Sequence, residues 1–73
     1  MDFITIPGRL QRINYNLKKH RKIKGYSQLY VASKLNVSQN AYSKLEMGVS
    51  RMTINNLFQI ADIFDLNVND LLN

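Results

Sequence analysis

Gly25-Tyr26-Ser27-Gln28-Leu29-Tyr30-Val31-Ala32-Ser33-Lys34-Leu35-Asn36-Val37-Ser38-Gln39-Asn40-Ala41-Tyr42-Ser43-Lys44-Leu45-Glu46-Met47-Gly48 is the stretch on which the fold turns. Gly25 supplies a left-handed residue that ends whatever helix precedes it. Ser27 stands where an N-cap is needed, its hydroxyl able to accept from a first-turn amide, and Leu29, Val31, Ala32 and Leu35 give the following short helix an apolar face. Only Asn36 and Val37 separate Leu35 from Ser38, a second N-cap. Asparagine tolerates the left-handed region better than any residue but glycine, so these four residues predict a sharp turn. A further helix then runs over Gln39–Met47 and stops at Gly48.

Two short helices joined by so tight a turn form the helix-turn-helix arrangement. Upstream, Leu10, Ile13 and Leu17 mark one face of a basic first helix predicted over Arg9–Lys24, with Lys18, Lys19 and Lys22 off that stripe. Before it, Phe3, Ile4 and Ile6 precede Pro7-Gly8, a pair expected to interrupt regular structure. Residues 1–8 are therefore read as an N-terminal arm and 9–73 as one domain. Downstream, Thr53 caps a fourth helix whose stripe is Ile54, Leu57, Phe58, Ala61 and Phe64. Asn67 followed by Asp70 opens a last helix with Val68, Leu71 and Leu72. The fold class is all-α, with five helices.

The 73 residues, 45% hydrophobic and 21% charged, fit one small domain and leave no room for a second. Without cysteine there is neither a disulfide framework nor a thiolate zinc site. No apolar run reaches the roughly 18–20 residues that span a bilayer, and the start Met1-Asp2-Phe3-Ile4 is not a signal peptide. The expectation is a cytoplasmic chain with no membrane partner. All ten basic residues lie between Arg9 and Arg51 with one acid, Glu46, a local charge of +9 within a net +5. Asp62, Asp65 and Asp70 make the last 22 residues acidic. Such a field draws polyanions to one side, with nucleic acid ahead of a merely solvated basic surface or a membrane surface.

Plotted at about 100° per residue, Gln39, Asn40, Ser43, Lys44 and Met47 share one arc of the third helix, opposite Ala41, Tyr42 and Leu45. Gln and Asn can pair bidentately with adenine, Lys can donate to guanine, and Ser can do either. An ordinary solvent face has the same composition. Ser27 and Ser38 start helices whose first amides can hold phosphate, helped by Gln28. Lys24, Lys34 and Arg51 flank these starts, as phosphate contacts or plain solubilising charges.

The pattern Arg21-x3-Gly25-Tyr26-Ser27-Gln28-x2-Val31-Ala32-x2-Leu35-Asn36-Val37-Ser38, then Tyr42-Ser43-x-Leu45-Glu46-x-Gly48, Leu57-x2-Ile60-Ala61 and Val68-x-Asp70-Leu71-Leu72 resembles the phage repressor and Cro-like (xenobiotic-response-element type) helix-turn-helix regulators. The resemblance covers Ile13 to Leu72. It implies a five-helix lambda-repressor-like DNA-binding domain whose second and third helices bind double-stranded DNA, the third in the major groove. Position by position it implies base reading by Gln39, Asn40 and Lys44, more weakly Ser43, and a phosphate contact by Gln28. It also implies a structural ion pair between Arg21 and Glu46. Departures from the family pattern are His20 for leucine, Asn36 and Asp65 for glycine, Tyr42 for a β-branched aliphatic, and Met47 for asparagine.

The family usually reads inverted repeats as a homodimer, so a dimeric repressor is expected. Ile60, Ile63, Leu66, Val68 and Leu72 are surplus apolar residues for its interface, or they complete a small core. An antitoxin, which would add a protein partner, or a restriction-modification controller of the same fold is the first alternative. A module of this fold that binds only protein is the second. An enzyme is not expected: the acids are scattered, the lone His20 has no serine or acid arranged beside it, and no phosphate loop, dinucleotide motif or metal spacing occurs. No cofactor and no metal are expected.

Overall fold

A computed structural model describes residues 7–73, with side chains from Arg12 onward. The arm residues Phe3, Ile4 and Ile6 lie outside the described residues. The elements are α1 (Pro7–Ile23), α2 (Gln28–Leu35), α3 (Gln39–Met47), α4 (Ile54–Phe64) and α5 (Val68–Leu72). Helix α1 opens two residues earlier than the periodicity places it. Pro7 occupies its first turn, where a missing N–H costs nothing and the fixed φ suits a helix; Pro7-Gly8 begins the element rather than blocking it.

Each boundary is closed by local chemistry. Gly25 at φ 75° ends α1, with its own N–H donating to Lys22 O and that of Tyr26 to Arg21 O, both at 3.0 Å. Ser27 Oγ accepts from Tyr30 N, Ser38 Oγ from Ala41 N and Thr53 Oγ1 from Asn56 N, each at 3.0 Å. Asn36 at φ 60° and Asp65 at φ 58° hold the left-handed positions after α2 and α4. Asp65 in place of the family's glycine leaves that turn regular, with Leu66 N donating to Ala61 O at 2.9 Å. At α5, Asp70 Oδ2 accepts from Asn67 N at 3.0 Å.

The core is assembled from every helix: Ile13 and Leu17, Val31 and Ala32, Tyr42 and Leu45, Leu57, Ile60, Ala61 and Phe64, and Leu71, with Met52 from the α3–α4 loop. Tyr26, half-buried, bridges two helices, its ring 4.6 Å from Tyr30 and 6.2 Å from Phe64 between centroids. Helix α1 packs on α3 and α5, and α2 on α3 and α4. Asn16 anchors the α1–α5 contact by donating its Nδ2 to Leu71 O at 2.9 Å. That carbonyl belongs to the last turn of α5 and has no intrahelical partner of its own.

Two apolar assignments change. The buried face of α4 is Leu57, Ile60, Ala61 and Phe64, while Ile54 and Phe58 stand 49% and 56% exposed. In α2, Val31 and Ala32 are buried, whereas Leu29 is 60% exposed. The buried stripe of α4 is thus rotated toward Ile60 and away from Phe58, which lies at the edge of the expected one. Both sets obey i, i+3, i+4, i+7 spacing, and docking against α2 and α5 selects between them.

Candidate nucleic-acid interface

Helix α3 divides cleanly. Tyr42, Leu45 and Glu46 are buried, Gln39, Asn40, Lys44 and Met47 are exposed, and Ser43 is half-buried on the outer side. The one acid of the helix faces inward, so the outer face repels no phosphate. Ser43 Oγ donates to Met47 Sδ at 3.6 Å, which ties the two residues along that face. The four residues expected to read bases therefore share the outer side of α3.

Beside this face lie the N-termini of α2 and α3. Ser27 and Ser38 cap the third amide of each helix, leaving the first-turn amides of Gln28 and Leu29, and of Gln39 and Asn40, without intrahelical carbonyls. Free first-turn amides and the positive end of a helix dipole are the features that attract an anion such as a phosphate. Lys24 and Arg51 are exposed at the flanks. Lys34 is exposed near the end of α2, its Nζ 5.5 Å from the centre of the Tyr30 ring.

Gln28 is half-buried, and its Nε2 donates to Glu46 Oε1 at 3.4 Å. That bond joins the start of α2 to the end of α3, and no feature of the sequence pattern announced it. Glu46 is held by Arg21 in a two-pronged pair: Nε to Oε2 and Nη2 to Oε1, both at 2.9 Å. A third donor, Arg21 Nη1, reaches Tyr26 O at 2.9 Å. Burial pushes the Glu46 carboxyl up, but the Arg21 hydrogen bonds and charge outweigh it and hold the group below the usual carboxylate range. The bond to Glu46 raises Arg21 in turn.

Tyr42, which replaces a β-branched aliphatic, fills the core rather than facing outward. Its hydroxyl is buried with no hydrogen-bond partner, close to the Arg21–Glu46 pair. Burial first, and then the neighbouring carboxylate, push the phenol far above its ordinary range. Gly48 ends α3 at φ 80°, and a Cβ there would collide with the side-chain amide of Asn14. The end of α3 is thereby seated on α1, a contact invisible to local pattern. His20 is half-buried on α1.

The residues offered for a subunit interface divide as well. Ile60 is 0% exposed and belongs to the core, so it has no surface for a partner; the inward rotation of α4 is the reason. Ile63, Leu66, Val68 and Leu72 are half-buried and pack against the core, with edges left open. Among the described residues no group of three His, Cys, Asp or Glu side chains can hold a metal ion. No described helix is long and apolar enough to cross a membrane.

A helix-turn-helix family model matches residues 17–71, which spans the end of α1 through α5 and includes both capped helices. Comparison with curated proteins and with solved structures returns no match. The match covers most of the chain and is consistent with the phage repressor and Cro-like resemblance. The chain belongs to this helix-turn-helix family of DNA-binding domains.

Proposed function

We propose that the chain is a sequence-specific regulator of transcription, a dimeric repressor that binds an inverted-repeat operator with one α3 in each half-site. The observation that carries this reading is the outer face of α3, where Gln39, Asn40, Ser43 and Lys44 stand together without an acid beside two capped helix N-termini. Affinity then comes mainly from phosphate contacts at Gln28, Ser27, Ser38, Lys24, Lys34 and Arg51, and specificity from α3. Ile63, Leu66, Val68 and Leu72 are the apolar edges for the two-fold contact. A two-fold protein matches a palindromic site, so half-sites about one DNA turn apart are expected.

Selection of sites from a randomised duplex pool at physiological salt tests the reading, with Q39A/N40A as the paired control. An enriched inverted repeat that disappears in the control supports it. No enrichment with the native chain overturns it.

The antitoxin or controller reading keeps the same DNA face and adds a protein partner. Ile54 and Phe58, one turn apart on the open flank of α4 and about half exposed, are the observation in its favour.

A further inference from the structure

Helix α1 carries six of the ten arginines and lysines and no acid. Arg21 alone among its described basic side chains is paired, because the only ion pair among the described residues is Arg21–Glu46. Lys18, Lys19 and Lys22 are exposed and, with Tyr15 at 67% exposure, line an open concavity. At about 100° per residue these four centre nearly opposite Ile13 and Leu17. They lie about 100° around the helix from Asn14 and Arg21, which face α3. Their centre is thus turned away from the side of α1 that packs on α3.

From this placement we propose that the outer face of α1 is a second, sequence-independent docking surface for the phosphate backbone of duplex DNA, so that the protein joins two DNA segments. The four side chains occupy i, i+3, i+4 and i+7, a row about 10 Å long at 1.5 Å per residue. Lysine is a compact charge on a flexible stem and needs no fixed fork geometry, which suits a regular line of phosphates but not base reading. The Tyr15 hydroxyl adds a donor of the type that contacts phosphate. A polyanion is favoured over an acidic protein surface because each neutralised phosphate releases condensed counterions, whereas exposed lysine–carboxylate pairs gain little.

The test uses two random-sequence duplexes, one fixed to beads and one fluorescent, so it does not depend on an operator being found. Native protein is expected to carry the fluorescent duplex to the beads. With three phosphate contacts at a salt slope of about 0.9 each, that second contact weakens about 40-fold between about 50 and 200 mM salt. K18Q/K19Q/K22Q is expected to lose capture at least about five-fold while binding a single duplex within about two-fold of native. K18R/K19R/K22R is expected to capture like native. Undiminished capture by the glutamine variant overturns the proposal, because joining then runs through paired α3 helices. An equal loss in single-duplex binding also overturns it, placing the lysines on the duplex that α3 holds. Absence of capture by native protein does the same, and if poly-L-glutamate then binds native but not the glutamine variant, the occupant is an acidic protein. Failure of base reading by α3 appears separately, as Q39A/N40A selecting the same sites as native.

Discussion

Arg21 and Glu46 meet through two parallel hydrogen bonds of 2.9 Å, with 11% of the Arg21 and 3% of the Glu46 side chain exposed. The pair fastens the end of α1 to the last turn of α3, and Gln28 joins it from the start of α2. The residue expected to hold a phosphate and the helix expected to read bases are thus fixed to one carboxylate. Removing either partner strands a buried charge, so Arg21→Ala or Glu46→Ala is expected to cost about 3–5 kcal/mol of stability in urea unfolding. Arg21→Met combined with Glu46→Leu should cost less than either single change, since no charge remains uncompensated. A double variant weaker than both singles would show that the pair contributes net stability of its own.

The same pair predicts an acid dependence. The folded-state pKa of Glu46 is depressed, so its contribution is complete above the unfolded glutamate value of roughly 4.3 and declines as pH falls through the folded value. Stability measured from neutral pH downward should fall below about pH 4. In Glu46→Gln that part of the fall should be absent.

Tyr42 places an unpartnered hydroxyl in the core. Tyr42→Phe keeps the ring and removes a buried polar group whose burial costs about 1–3 kcal/mol when unpaired. The variant is expected to be as stable as the native chain or more so, by up to about 1 kcal/mol, with DNA affinity unchanged. Loss of more than about 1 kcal/mol in thermal or urea unfolding would assign the hydroxyl a bonding role.

Gly25 and Gly48 share a positive φ but not a neighbourhood. A Cβ on Gly25 meets nothing within 4 Å, while one on Gly48 collides with Asn14. Gly25→Ala is therefore expected to cost only the left-handed strain, about 1–2 kcal/mol, and Gly48→Ala that strain plus the smaller cost of turning the Asn14 amide aside. Pairing Gly48→Ala with Asn14→Ala should return part of the excess. Equal costs for the two glycine variants by calorimetry would show that the Asn14 amide turns aside freely and does not hold the end of α3.

Base reading and phosphate contact separate by sequence dependence. Gln39→Ala or Asn40→Ala should weaken binding to the selected site by about 1–3 kcal/mol and leave random duplex nearly untouched. Arg51→Ala should weaken both alike and lower the salt slope by about one. Equal losses on both duplexes for Gln39→Ala would withdraw that residue from readout.

What could be read along the chain was whatever depends on neighbours a few residues apart. Ser27, Ser38 and Thr53 accept from amides three positions on, and Asn36 and Gly48 turn left-handed where they stand. Helix ends, the tight turn and the polar face of α3 are local in this sense, because caps and 3.6-residue periodicity act within one or two turns. The Arg21–Glu46 pair was legible only through the resemblance, since its partners are separated by 25 positions. Tertiary packing alone decided the rest. Two stripes on α4 were equally periodic, and docking buried Ile60 and left Phe58 outside. Asn16 on Leu71, Asn14 against Gly48 and Gln28 on Glu46 arise from helices that meet in space. Such contacts depend on the angle and register at which two helices pack, and no single helix encodes either.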